Sequence, residues 1–195
     1  MNQNKKTRNT IILIAILTSI AIASRFILID WPNFKPIAAI ALFLGFYCQD
    51  RRIAVLTILA VMLITDCFFG FYSTVLMMSV YSSIAIACGL GYFLNRWLRK
   101  SRSIIVRLGS VASAALVASV VFYLVTNITV ALVSPWYPNS LDGVVASLAA
   151  GIPFFKYTLA GNVLFSLGIF STYFAWNSAF ADRPAEYAMG KPEIT

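Results

Sequence analysis

The run Ile104–Val133 carries a single charged side chain, Arg107, close to its start. A helix needs roughly 20 mostly apolar residues to cross a bilayer core of about 30 Å, so this run is read as a membrane span long enough to tilt or project. Further runs of the same kind are Thr10–Ile29, Pro36–Gln49, Ile53–Tyr72, Val75–Leu98 and Pro153–Trp176. Pro36–Gln49 is short, so it is expected to tilt, to start deeper in the membrane or to be partly re-entrant. Leu141–Ala150 is expected to form a short interfacial helix ahead of the last span. None of the runs alternates with polar residues as barrel strands do.

Composition agrees. The chain is 60% hydrophobic and 11% charged, with mean hydropathy +0.82, against roughly 45–50% and about 25% in soluble domains. That excludes a soluble globule, a disordered chain and a nucleic-acid-binding domain. The expected fold is an all-α integral membrane protein: one domain of six transmembrane helices over residues 1–178, then a polar cytoplasmic tail, 179–195. Ala21-Ile22-Ala23 resembles a signal-peptidase site. The apolar run resumes after Arg25 through Ile29, however, which favours a first transmembrane helix.

The net charge is +8, and its distribution sets the expected topology. With a cytoplasmic N-terminus, the inner segments hold Lys5, Lys6, Arg8, Arg51, Arg52, Arg96, Arg99, Lys100, Arg102, Arg107, Arg183 and Lys191. The outer segments hold Arg25, Lys35 and Lys156. This is the positive-inside pattern with both termini in the cytoplasm. It accounts for the basic excess without a nucleic-acid partner, and it implies a multi-pass membrane protein.

Little in the chain suggests catalysis. There is no histidine, which removes the commonest general base and metal ligand. Cys48, Cys67 and Cys88 lie inside apolar runs without metal-site spacing. No P-loop is present, and no paired broken helices of transporter type are visible. No enzyme, metal or cofactor is expected.

Polar groups in the spans are the candidate site. Asp66 is the one carboxylate well inside a span, about 20 Å from its inner edge. Its expected partners are Thr126, Asn127 and the backbone of the first outer loop. Asn127 lies near the outer end of the fifth run and Asn162 in the outer half of the sixth. Together with Asp66 they either knit helices together or line an outward cavity. The first outer loop, Asp30-Trp31-Pro32-Asn33-Phe34-Lys35-Pro36, is stiffened by two prolines. It is either an interfacial anchor or a lid over a pocket. Tyr72, Tyr137 and Phe154 add aromatic surface on the same side, which suits an aromatic or other ring-containing ligand. Cys67, beside Asp66, is read as a small hydrophobe, with ligation of a soft metal centre as the alternative. Ala15, Ser19 and Ala23 form a small-residue stripe on the first span, as do Ala38, Ala41 and Gly45 on the second and Ser110, Ala114 and Ala118 on the fifth.

The string Pro32-Asn33-Phe34-Lys35-Pro36-Ile37-Ala38-Ala39-Ile40-Ala41-Leu42-Phe43 resembles the signature PNFxPxxAxALFxG of a family of small bacterial membrane proteins described as candidate transport proteins. Thr65-Asp66-Cys67-Phe68-Phe69-Gly70, Thr126-Asn127, Tyr137-Pro138 and Ile152-Pro153-Phe154-Phe155 with Thr158, Leu159, Gly161 and Asn162 follow in the same order. The chain departs from that pattern at Thr65, where serine is usual, and at Asn162, where an acid is common. The family's layout is similar to the substrate-binding S-components of energy-coupling-factor (ECF) vitamin transporters. That likeness implies the bacterial inner (cytoplasmic) membrane as the location, six helices and an outer site capped by the loop after the first helix. It also implies that the stripe Ala15, Ser19, Ala23 docks a transmembrane coupling subunit carrying ATPases. The expected function is therefore substrate-binding membrane transport, taking up a vitamin-like or other ring-containing small molecule. The alternative is a scaffolding protein of a cell-envelope assembly, with membrane lipid as its surroundings and no substrate.

Overall fold

The computed structural model describes residues 3–31, 33–48, 50–99, 101 and 103–181. The tail expected over 179–195 lies outside them from residue 182 onward. Six helices account for nearly all of the described chain: α1 (Gln3–Ile27), α2 (Ile37–Tyr47), α3 (Arg51–Phe69), α4 (Thr74–Leu98), α5 (Ile104–Val133) and α6 (Leu141–Ala181). No strand occurs among the described residues. Five of the helices, all but α2, are long and apolar enough to cross a membrane. The chain has the architecture of a multi-pass membrane protein.

Successive helices alternate in direction. The loop end of the bundle holds residues 28–31 and 33–36 and the turn 70–73. The basic end holds Arg51, Arg96, Arg99 and Arg107. Asp50 starts α3 by accepting a hydrogen bond from the Arg52 amide at 2.8 Å, an ordinary N-cap. Gly70 ends α3 at φ 90°, where a side chain would be strained.

Nine of the eleven residues of α2 are buried, and α2 touches every other helix. That explains its pattern: a helix apolar on all sides belongs in a protein interior. Close approach to α4 puts it there. A methyl on Gly45 would overlap the Cys88 carbonyl of α4, and one on Gly91 would overlap the Leu42 carbonyl of α2. The two glycines thus face each other's backbones reciprocally, and the Ala38, Ala41, Gly45 stripe serves internal packing. Phe43 and Phe46 continue the core into Phe170, Tyr173 and Phe174 of α6. Asn95 of α4 donates to the Phe46 carbonyl at 2.9 Å, satisfying a carbonyl at the end of α2 that has no partner within its helix.

Around this core the surface is apolar. Ile12, Leu56, Phe93, Leu132 and Leu164 are among many large exposed side chains, as lipid-facing residues should be.

At the far end of the chain the expected break does not occur. Leu141–Ala150 is not a separate helix: α6 runs unbroken through Pro153. It is about 60 Å long at 1.5 Å per residue, twice the bilayer core. Tertiary contacts carry it across the proline. The Tyr123 hydroxyl of α5 donates to the Leu148 carbonyl, and the Ser147 hydroxyl donates to the Asn127 carbonyl at 2.8 Å. Tyr123 also packs on Phe155, their ring centroids 4.8 Å apart.

A buried ion pair beneath the first loop

Asp66 is 1% exposed, and each of its oxygens has a donor. Arg25 Nη2, from the last turns of α1, donates to Oδ1 at 2.6 Å. The Tyr81 hydroxyl, from α4, donates to Oδ2 at 2.7 Å. The second arginine nitrogen, Nη1, donates to Thr65 Oγ1 at 2.6 Å, and Thr65 passes its own proton to the Val61 carbonyl at 2.8 Å. The guanidinium also lies 5.4 Å from the centroid of the Phe69 ring. Three helices are thereby tied at one point. A buried carboxylate is costly unless paired and hydrogen-bonded, and here it is both.

The donors expected for Asp66 are not these. Thr126 Oγ1 donates to the Phe122 carbonyl of its own helix at 2.7 Å. Asn127 Nδ2 donates to the Tyr123 carbonyl at 2.8 Å, while its side chain packs against the bare Cα of Gly151 in α6. Arg25, expected as an outer-loop charge, is the ion-pair partner. Its signal was its setting: an arginine with apolar residues on both sides, Ile20–Ala23 and Phe26–Ile29, sits at span depth, where a charge needs a partner. Tyr81 had no comparable signal, since only packing brings it to Asp66.

Asn162, 3% exposed, donates to Ser119 Oγ at 2.9 Å, joining α6 to α5. Asp66 thus ties α3 to α1 and α4, while Asn127 and Asn162 each serve the α5–α6 contact at different points, and the three side chains do not meet.

The loop after α1 is seated on α6. The backbone of Phe34 and Lys35 lies against Gly161 of α6, with Phe34 Cα 3.4 Å from where a Cβ would stand. The Phe34 ring packs on Phe165 at 5.3 Å and on Trp31 at 5.8 Å. Asn33 takes φ 60°, a left-handed conformation that asparagine tolerates, and turns the chain back toward α2. Pro32 lies outside the described residues. Trp31 itself is 55% exposed. Lys35 is half-buried, and burial with the nearby Arg25 charge pushes its ammonium below the usual lysine value. Tyr72, from the turn after α3, is near enough to Asp66 that burial and that carboxylate raise its phenol above the ordinary range.

The other candidates lie apart. Tyr137 is half-buried in the α5–α6 turn, and Phe154 is exposed on α6. Cys67 is exposed on α3, on a different face from Asp66, while Cys48 and Cys88 are buried as free thiols. Among the described residues no group of acids and cysteines could hold a metal. Ala15, Ser19 and Ala23 are all exposed, so that stripe is not consumed by packing within the bundle.

Comparison with curated proteins and with solved structures gave no match. One family model matches residues 3–185, the whole bundle: the chain belongs to DUF6580, a family of unknown function.

Proposed function

We propose that this chain is a substrate-binding membrane transport protein of the S-component kind, taking up a vitamin-like or other ring-containing small molecule. In this reading the loop end faces outward, the basic end faces the cytoplasm of a bacterium, and both termini are cytoplasmic. The observation that carries it is the arrangement under the first loop. Phe34 and Lys35 of the first loop rest on α6 through one aromatic ring and a glycine notch, while the Arg25–Asp66–Tyr81 network holds α1, α3 and α4 in register, with Arg25 close enough to Lys35 for its charge to be felt there. A rigid frame beside a segment held by ring contacts suits a lid, because the loop's seat on α6 is separate from the helices the network ties.

Trp31, Phe34, Phe165 and Tyr72 supply the aromatic surface for a ring, and Asn33 and Lys35 supply polar groups. The protein is not read as an enzyme. Energy would come from a coupling subunit with ATPases, docked on Ala15, Ser19 and Ala23. Native mass spectrometry of the protein purified in mild detergent tests the reading: a ring-containing small molecule should co-purify and be lost on Trp31→Ala. A preparation without bound small molecule, whose envelope partners co-purify instead, would favour the scaffold reading. That second reading draws support from the fit of Phe34 into α6, which leaves the loop packed against protein.

A further inference from the structure

On the membrane face of the α5–α6 hairpin lies a groove of about 670 Å³. Ala112, Ser113 and Leu116 of α5 and Leu159, Ala160 and Leu164 of α6 line it. Leu116 and Leu164 are exposed, at 45% and 60%, so the groove opens away from the bundle. Ser113 donates its hydroxyl to the Gly109 carbonyl of its own helix at 2.9 Å and offers no proton to a ligand. The one charged group in the lining is Lys156. Its ammonium stands 4.9 Å from the centroid of the Tyr157 ring. Among the described residues the only ion pair is Arg25–Asp66, so no described carboxylate pairs with Lys156.

Placement along α6 matters. Lys156 and Leu164 are about 12 Å apart along the axis, so the cation sits at one end of the groove, not over its middle. That end points toward the loop end of the bundle, since the seat of Phe34 at Gly161 lies deeper in the helix. A lysine resting on a tyrosine is the usual chemistry of the headgroup level. The rest of the lining is almost entirely apolar.

We propose that this groove is a binding site for one anionic phospholipid, an acyl chain lying between Leu116 and Leu164 and the headgroup against Lys156. Charge selects the occupant. A second copy of the chain would have to bring an acid to Lys156 within an apolar face, whereas an anionic lipid carries acid and chain in one molecule. A single lysine near a membrane surface is worth roughly a fivefold preference for a net negative headgroup. The proposal does not depend on whether the protein transports a solute.

The test uses the full chain in detergent with equal amounts of phosphatidylglycerol and phosphatidylcholine of identical acyl chains, read by native mass spectrometry. The parent should retain phosphatidylglycerol about fivefold over phosphatidylcholine. Lys156→Gln, an exposed change, should retain both equally. Ala160→Phe and Ser113→Phe, which fill the groove from opposite helices, should each lose retention of both. Equal retention in the parent would overturn the proposal. So would an undiminished preference in Lys156→Gln, which would move the site to the arginines of the basic end. A dimer peak that disappears in Ala160→Phe and Ser113→Phe would identify a second copy as the occupant and overturn it as well.

Discussion

Arg25 and Asp66 are worth most as a pair and cost most when separated. Removing one member of a buried ion pair leaves the other uncompensated, typically at about 3–5 kcal/mol, whereas replacing both with apolar residues of similar size is often neutral. With Arg25 at 15% and Asp66 at 1% side-chain exposure, the pair is shielded enough for that asymmetry to hold. Asp66→Ala and Arg25→Ala should therefore each lower the thermal unfolding midpoint in detergent strongly, and Arg25→Met with Asp66→Leu should recover most of the loss. Additive losses in the double variant would mean that the two side chains do not interact. Tyr81→Phe should cost less, on the order of 1–2 kcal/mol, because it removes one charge-assisted donor and leaves the ion pair intact.

The contact between α2 and α4 makes a prediction of a different kind. A methyl at Gly91 must displace backbone of α2, and overpacking of this sort costs typically about 1–3 kcal/mol or more. Gly89, two residues earlier, has open space where its Cβ would be. Gly89→Ala should be neutral or stabilising by up to about 1 kcal/mol from helix propensity. Thermal melts of both variants side by side check this, and equal destabilisation would show that α2 is not pressed against α4. In the first loop, Phe34 and Trp31 should behave differently. Phe34→Ala should lower stability by roughly 1–2 kcal/mol as half-buried ring area is lost from Gly161 and Phe165. Trp31→Ala, at an exposed position, should leave stability nearly unchanged. If the loop caps a ligand, Trp31→Ala should instead weaken binding of the co-purifying molecule by about 2 kcal/mol, roughly thirtyfold, through faster release. Unchanged affinity in Trp31→Ala would make this loop an interfacial anchor.

The alternation of the six helices puts the α5–α6 turn and the end of α6 at opposite ends of the bundle. In a background lacking Cys48, Cys67 and Cys88, cysteine placed at Asn139 should react with an impermeant reagent from outside the cell. Cysteine at Asn177 should react only after the membrane is opened. Labelling of both from one side would refute the six-span topology and the sidedness given by the charges.

Helix existence and most boundaries were legible in the chain, because span length and apolarity are local properties that the bilayer enforces regardless of packing. The fifth run matched α5 at both ends, and the short second run was visible as unusual. Burial of Asp66 was legible too, since a carboxylate within an apolar run must turn inward and find donors. Which donors it finds was not. Arg25 and Tyr81 meet Asp66 because of how α1 and α4 are rotated against α3; a small-residue stripe such as Ala38, Ala41 and Gly45 marks a face for close approach but does not name the helix that meets it. The fate of Pro153 was hidden for the same reason. Proline weakens a helix locally, and only side chains from α5, placed along the far half of the hairpin, carry α6 through it. Likewise the grouping of Asp66, Asn127 and Asn162 rests on their expected depth along the spans, a property read from position in the chain. Asp66 turns toward α1 and α4, whereas Asn127 and Asn162 both face the α5–α6 contact, because azimuth around each helix axis is set by tertiary packing.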